Sequence, residues 1–402
     1  MNNNMYVRIL PQQAEYFLKD DGTFDMDKAL LLSGKYAGIC YNKEGFSALE
    51  NEDEAKTMKR VKGTLEGGHH SVFDHVYITF NFVNIPKILA MVLNNEHEYT
   101  TSEKSARYTP IINKENSVIT DEEEFLYQKW VEIFKIEIAS KYGEIFSKSK
   151  IEKLAQENAR YLVTVFMPTQ MVYTTSLRQI NYIASFMNRY MEEATIDDDF
   201  KMRLAFSMKE FVDCLDSLGV LHKDLMKNEK NRSVSLFGKD IGKKEEYFGD
   251  VYSTHYLASF AEYAQAQRHR TLDYQLEMVS HPSYFLPPIL ENNFLLTRAW
   301  YEDMMMVSSV YPQGEMVMVS ESGKMDDFIL KCKERLCSHA QLEIANQEKN
   351  TLLKYRSELA KRGSPLAKKL DAYNHGARCT FPDYECHQDC KFKEGKMLVR
   401  KI

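Results

Sequence analysis

The sequence predicts an α+β fold made of two tandem, diverged copies of one mixed unit, each with an antiparallel sheet flanked by long helices. Three observations favour this fold class. The chain has 402 residues, more than one hydrophobic core usually fills. Helical and strand-like segments recur in a similar order in both halves. An arginine, an alanine and an acidic residue are also spaced alike in 189–197 and 335–343.

The first half alternates between helical and strand-like patterns. Apolar spacing predicts helices at 25–40, 88–93, 122–146, 151–166 and 197–218. The last of these has three aspartates at its amino end, where the helix dipole favours acidic residues. Residues 72–83 are rich in β-branched and aromatic side chains and predict a strand. We therefore assign residues 1–222 to the first copy.

The second half begins after a polar segment. Residues 223–250 are rich in lysine and contain three glycines, which is typical of a linker or an interdomain loop. An aromatic segment at 252–263 follows, and apolar spacing predicts helices at 290–309 and 328–359. We assign 251–402 to the second copy, which ends in a cysteine-rich tail.

Composition narrows the function classes. A net charge of -6 disfavours a broad nucleic-acid-binding face but allows a local basic pocket for small anionic ligands. We see no signal peptide and no apolar run long enough for a membrane span. The seven cysteines, four scattered and three near the carboxyl end, do not resemble a disulfide framework. We expect a cytoplasmic protein that binds neither a nucleic acid polymer nor a membrane.

Two short polar motifs are the main functional signals. Arg268-His269-Arg270 follows Gln265, and Ser105-Ala106-Arg107-Tyr108 closes an earlier polar run. An arginine presents a rigid fork of donors that matches phosphate or carboxylate, so two arginines around a histidine suit a pyrophosphate and a planar heterocycle. A solvated charged surface would look similar in the tripeptide alone, and the two motifs together favour a ligand site.

These motifs carry a resemblance to a known family. The segments 68–75 and 103–108 resemble the amino-terminal half of flavin-dependent thymidylate synthases. Arg268-His269-Arg270 is similar to that family's arginine-histidine-arginine signature, and 335–344 is similar to its carboxy-terminal helix. The resemblance touches most of the chain, although neither copy contains every motif.

The resemblance implies an activity and an assembly. Members of this family use FAD, methylenetetrahydrofolate and a pyridine nucleotide such as NADPH to methylate deoxyuridine monophosphate (dUMP) at C5. The family's homotetramers build each active site from several subunits. A chain with two fused copies would therefore form a homodimer that imitates the tetramer.

The resemblance also assigns roles to individual residues. Arg268 and Arg335 would be catalytic, with Arg335 against the pyrimidine. The nucleotide would be bound by Ser105, Arg107, Tyr108, Arg160 and Gln265. The flavin would be bound by Ser71, Asp74, Glu103, Arg178, His269 and Arg270. The chemistry would belong to flavin and folate, and the protein would supply orientation and electrostatic stabilisation.

The two copies have lost complementary motifs. The first copy has residues 95–97, Asn-Glu-His, where the family has its cationic triplet. The second copy has Met278 and Ser280 where the family has its serine and arginine. Complementary loss is compatible with a composite site in which each copy supplies one wall. We expect such a site within one chain or across a dimer.

Departures from the family keep other functions open. Asp273 and Gln275 stand where serine and asparagine are usual, which puts folate or reductant access in doubt. A related pyrimidine modification such as hydroxymethylation is one alternative. A non-catalytic nucleotide- or flavin-binding protein is another.

Two groups of side chains suggest metal ligands. Cys379, Cys386 and Cys390, with His375 or His387, could form a tetrahedral zinc site, and a reduced tail without metal is the alternative. The histidines at 69, 70 and 75 would be scattered on opposite faces of a strand. For them we expect packing and hydrogen bonding to the backbone instead.

Overall fold

The computed structural model describes residues 5–11, 15–104, 118–227, 236–238, 245–388, 390–392 and 400–402. These residues form two compact units. The first unit comprises described residues of 1–104 and 167–233, and the second comprises those of 105–166 and 234–402. Residues 118–166, which the sequence analysis assigns to the first copy, therefore belong to the second unit.

Each unit contains one four-stranded antiparallel sheet. The strands are β1 (Tyr6–Ile9), β2 (Tyr77–Pro86), β3 (Tyr99–Glu103), β4 (Pro168–Ser176), β5 (Tyr247–Phe248), β6 (Val251–Ser259), β7 (Asp273–Met278) and β8 (Met316–Lys324). The strand order is β1-β2-β4-β3 in the first sheet and β5-β6-β8-β7 in the second. The central pairs start with Tyr77 opposite Ser176 and Val251 opposite Lys324, and the first pair shifts register between Val83 and Ile85. The two sheets thus repeat one strand order.

Helices surround both sheets. They are α1 (Met26–Gly38), α2 (Ser47–Glu50), α3 (Glu54–Glu66), α4 (Lys87–Leu93), α5 (Asp121–Tyr142), α6 (Lys148–Ala159), α7 (Leu177–Glu193), α8 (Asp199–Ser217), α9 (Lys223–Met226), α10 (Phe260–Ala266), α11 (Phe294–Met306), α12 (Met325–Arg335), α13 (Leu342–Lys361) and α14 (Leu366–Asp371). Mixed helices and antiparallel sheets confirm the α+β prediction.

Local sequence explains where many helices begin. Side chains accept a hydrogen bond from the first turn at Asp25, Asp53, Thr120, Ser147, Ser176, Asp198, Ser259 and Asn293. Such caps satisfy backbone N–H groups that have no partner within the helix. At Thr120 the cap is reciprocal, because the Glu123 carboxylate also accepts from the Thr120 backbone N–H.

Three segments differ from their predictions. The strand predicted at 72–83 begins instead at Tyr77, because residues His70–His75 form a 3-10 helix. The helix predicted at 151–166 ends at Ala159. The helix predicted at 328–359 is divided into α12 and α13 by the loop 336–341. Thus the 335–344 motif, expected to be helical, spans a helix end, a loop and a helix start.

Each unit has its own aromatic core. In the first, Phe82 stacks on Phe80 and Tyr173 and meets the Phe211 ring edge at 5.0 Å between centroids. In the second, Trp130 and Trp300 meet edge to face at 4.8 Å between centroids. Burial of one such ring stabilises the folded state by about 1.5–3 kcal/mol. Across the described helices, none has the length and apolar character that crossing a membrane requires.

Candidate functional site

The arginine-histidine-arginine motif places a buried histidine between two exposed arginines. It follows α10, a seven-residue helix whose residues are all buried and whose start is capped by Ser259. Arg268 and Arg270 are exposed, whereas His269 is only 5% exposed. The packed helix therefore fixes the backbone from which the two guanidinium groups reach solvent. Exposed paired arginines suit an anionic ligand.

Arg335 is held against this histidine. The Arg335 Nε–H donates to His269 Nε2 at 2.7 Å. Burial, together with the charges of Arg335 and Lys331, lowers the pKa of His269 to about 2. The imidazole is therefore neutral near pH 7 and can accept this hydrogen bond. Two residues from separate motifs, which the resemblance assigns to flavin and pyrimidine, are in direct contact.

A buried amide joins two predicted substrate-binding residues. The Gln341 Oε1 atom accepts from Arg160 Nη2 at 2.5 Å and from Gln265 Nε2. All three side chains are at most 5% exposed. Arg160 follows α6 and Gln265 lies on α10, so the hydrogen bonds connect residues that are far apart in the sequence. The fold thus brings the predicted Arg160 and Gln265 together.

One phenol and one carboxylate extend this network. Gln341 Nε2 donates to the Tyr161 hydroxyl, which in turn donates to Glu343 Oε2 at 2.8 Å. Ser259 donates to the same carboxylate through its backbone N–H at 2.8 Å and its hydroxyl at 2.6 Å. Burial raises the pKa of Glu343, and the Ser259 hydrogen bonds oppose that rise. The network therefore links the helix cap of α10 to Gln341.

A second polar cluster lies in the core of the same unit. The Lys331 ammonium is 2.6 Å from Glu321 Oε2 and 2.9 Å from Glu348 Oε2. The Tyr252 and Tyr256 hydroxyls donate to Glu321 at 2.5 and 2.7 Å. Burial opposes the charge of Lys331, but the two carboxylates outweigh it and raise the pKa above its usual range. We call these five residues the Lys331 cluster.

In the first unit the predicted flavin residues form ion pairs with neighbouring side chains. Asp74 accepts from Arg178 Nη1 at 2.9 Å and from the Ser176 hydroxyl at 2.7 Å. Glu103 pairs with Lys87. Ser71 is exposed on the 3-10 helix that also carries Asp74. Two of the predicted residues, Asp74 and Arg178, are therefore in contact.

Other predicted residues have different outcomes. Ser105, Arg107 and Tyr108 lie outside the described residues. Residues 95–97 follow α4 as the arginine-histidine-arginine motif follows α10, which agrees with the expected alignment of the two segments. His70 is buried and its Nε2 lies 3.0 Å from the Leu65 carbonyl oxygen, so the expected backbone contact is confirmed.

The cysteine-rich tail lines a cavity of about 350 Å³. Cys379, Cys386 and Cys390 lie on its wall together with Cys337, which the sequence analysis did not select. His375 is exposed and is absent from that wall. Among the side chains that the structure describes, no three histidine, cysteine or acidic groups are already close enough to hold a metal ion.

Sequence reasoning also missed Gln341, Tyr161 and Glu343. Gln341 and Glu343 belong to the 335–344 motif, and Tyr161 follows the predicted Arg160. The signal was therefore proximity to selected residues, because neutral side chains such as Gln341 and Tyr161 leave no charge pattern. Glu343 entered the sequence analysis only through the repeated spacing in 335–343. Their role depends on long-range contacts that only the fold provides.

Comparison with known proteins agrees with the motif resemblance. Residues 25–194 match the family model described as thymidylate synthase complementing protein. Flavin-dependent thymidylate synthases of Pyrococcus furiosus and Pyrococcus abyssi are 24% and 23% identical over 151 residues. Each match covers 35% of this chain and 57% of the relative, so the chain spans little more than half the length of these relatives.

Two solved structures are also similar to this chain. ThyX from Helicobacter pylori, solved with FAD and dUMP, has 15% identity and a TM-score of 0.32, covering 56% of this chain and 96% of that chain. The UMP/dUMP methylase PolB from Streptomyces cacaoi, bound with 5-Br dUMP, has 14% identity and a TM-score of 0.29, covering 55% and 97%. The family match over residues 25–194 supports the thymidylate synthase relationship implied by the motifs.

Proposed function

We propose that this chain is a flavin-dependent thymidylate synthase, which methylates dUMP at C5 with methylenetetrahydrofolate as carbon donor and NADPH as reductant. The observation that carries the proposal is the shared hydrogen-bond acceptor at Gln341. Arg160 and Gln265, which the resemblance assigns to the nucleotide from distant parts of the sequence, both donate to its Oε1 atom. The family match over residues 25–194 supports the same assignment.

The substrate site would centre on the cations of the second unit. The phosphate of dUMP needs charged donors, because an unpaired anion away from water is strongly disfavoured. Arg160 and Arg268 supply such donors, and Ser105, Arg107 and Tyr108 are further proposed contacts. Arg335 would stabilise negative charge on the uracil carbonyl as C5 reacts. The neutral His269 accepts from Arg335 Nε and would hold its guanidinium in place.

The donor set is compatible with FAD. The exposed Arg270 suits a flavin diphosphate, and His269 presents a neutral ring beside it. In the first unit, Asp74 and Arg178 orient one another, and we assign them with Ser71 and Glu103 to flavin binding. When bound, reduced FAD supplies the hydride that completes the methyl group. The protein would bind and orient the reactants and exclude water from them.

We also propose that the chain arose by tandem duplication and acts as a homodimer. The repeated strand order and the equivalent positions of residues 95–97 and 268–270 support duplication. A pair of such chains would contain four copies of the mixed unit, the number of subunits in the tetramers of the family that the motifs resemble. Each copy would then need to retain only part of the ancestral site.

The function can be tested on the purified full-length chain. We expect bound FAD that NADPH bleaches under anaerobic conditions and that methylenetetrahydrofolate with dUMP reoxidises, with a methylated nucleotide identified by mass spectrometry. A hydroxymethylated product would instead support the alternative reaction. Failure to bind FAD at saturating concentration, with dUMP binding retained, would identify a non-catalytic nucleotide-binding protein.

A pair of variants tests whether Arg160, which donates to Gln341, acts at the proposed substrate site. Arg160→Met should lower kcat/KM for dUMP about 10- to 100-fold, because a hydrogen bond involving a charged group contributes about 1.5–3 kcal/mol. Arg298→Met is the matched control, since Arg298 is an exposed arginine on α11 that pairs with Glu302. Equal activity of the two variants would remove Arg160 from the site.

A further inference from the structure

Four of the seven cysteines line one cavity. They come from three separate parts of the second unit: Cys337 follows α12, Cys379 lies in a 3-10 helix, and Cys386 and Cys390 lie in irregular segments near the end of the chain. None of the four forms a disulfide. Packing alone does not require thiols from three segments to converge, whereas a soft metal ion does.

The surroundings of the cavity favour thiolates. Arg378 lines it, and Arg400 lines an adjoining cavity that shares Cys390 and donates to the carbonyl of Ala340, three residues after Cys337. Both Nε atoms are buried and have no hydrogen-bond partner in the part of the chain that the structure describes. Nearby guanidinium groups stabilise the deprotonated form of a thiol. A Zn²⁺ ion bound by four thiolates forms a complex with two excess negative charges, which these two guanidinium groups would offset.

One thiol already has an outer-shell donor. The Phe392 backbone N–H donates to Cys390 Sγ at 3.4 Å. Donors of this kind orient a ligating sulfur and favour its charged form. The Cys386 Sγ atom makes a long contact with the Gln388 carbonyl oxygen, at 3.8 Å, which opposes its movement little. The cavity therefore combines soft ligands, positive charge and a ligand-orienting amide.

We propose that Cys337, Cys379, Cys386 and Cys390 bind one structural zinc ion. The ion would draw the four sulfur atoms inward, since they surround the cavity without yet meeting. Residues 384–388 and 390–392 lie outside helices and strands and can make this movement without breaking either. Metal binding commonly orders such ligand loops. The inference replaces the predicted ligand His375 with Cys337.

The zinc would stabilise the loop that carries Gln341. Cys337 lies in the loop 336–341, which already contacts the tail at two points. The Arg378 backbone N–H donates to the Leu336 carbonyl at 2.6 Å, and Arg400 Nη2 donates to the Ala340 carbonyl at 2.6 Å. Closure around zinc would add a covalent link between tail and loop. This role does not depend on the proposed function.

Metal content tests the proposal directly. The full chain, purified after growth with added zinc, should contain about one zinc ion by inductively coupled plasma mass spectrometry. Cys337→Ser and Cys386→Ser should each lower the zinc content at least about fivefold, because three thiolates hold the ion more weakly. Cys40→Ser, at an exposed thiol outside the cavity, and His375→Ala should keep the full content.

A second measurement avoids variants that fail to fold. Titrating the native chain with a mercurial reagent should release zinc in step with modification of the cavity thiols, detected by a zinc-binding dye. Zinc below about one tenth of an ion per chain would overturn the proposal. So would iron with inorganic sulfide in place of zinc, or a disulfide among the four cysteines in the metal-free chain.

Discussion

Replacing Lys331 with methionine should strongly destabilise the second unit. The Lys331 side chain is 1% exposed and lies 2.6 and 2.9 Å from carboxylate oxygens of Glu321 and Glu348, which are equally buried. Removal of the ammonium leaves two carboxylates without their shared cation in a site that water does not reach. Breaking a buried ion pair in this way costs about 3–5 kcal/mol.

Tryptophan fluorescence during urea unfolding is a specific assay for this effect. The chain has two tryptophans, Trp130 and Trp300, and both are fully buried in the second unit. In thermal unfolding, the expected loss of stability corresponds to a Tm lower by about 6–20 °C, at about 2–4 °C per kcal/mol.

A triple variant serves as the control for this prediction. Lys331→Met combined with Glu321→Gln and Glu348→Gln removes all three charges, so it should recover most of the stability. A loss below about 1 kcal/mol for Lys331→Met alone would refute the reasoning, because it would mean that water or another cation replaces the ammonium.

Three further substitutions test charges in the second unit. Burial raises the pKa of Glu315 to about 7, so its contribution to stability falls as pH rises from about 4.5 to 7, and Glu315→Gln should flatten this slope in urea unfolding. Arg335→Gln should raise the pKa of His269 in an NMR titration, still below its ordinary value because burial remains. Asp303→Asn should cost about 1–3 kcal/mol, because the buried carboxylate accepts from Trp130 Nε1 at 2.6 Å; an unchanged urea midpoint would exclude this role.

Local signals predicted much of the fold. The three aspartates at 197–199 indicated a helix start, and α8 begins within two residues of the expected position with Asp198 as its cap. Apolar spacing alone predicted α1, which begins one residue after the expected position and is capped by Asp25. The division between α12 and α13 could not be predicted, because apolar spacing continues through both helices. Its cause is tertiary: the break lets Gln341 reach Arg160 and Gln265, which are distant in sequence.

The site was predictable only where charge marks it. The motif at 268–270 indicated an anion site, yet it could not show that the central histidine is buried and neutral while its neighbours are exposed. A neutral side chain that joins several hydrogen bonds, such as that of Gln341, leaves no pattern in a single sequence. The predicted start of the strand at 72–83 was wrong because local backbone contacts, which the apolar pattern does not show, form a 3-10 helix there. A turn at Gly68, with φ of 68°, precedes the 3-10 helix in which His70 contacts the Leu65 carbonyl oxygen.

The two sheets bury different types of side chain at the same strand position. Tyr173 in β4 and Glu321 in β8 are each the sixth residue of a nine-residue strand, and both are at most 1% exposed. A buried carboxylate needs a partner, and Lys331 supplies it from α12, one helical turn before Arg335. Lys331 also helps to keep His269 neutral, and the neutral ring accepts from Arg335. The polar core of the second unit therefore supports the residues that carry the proposed chemistry, whereas the aromatic core of the first has no comparable buried lysine on α7.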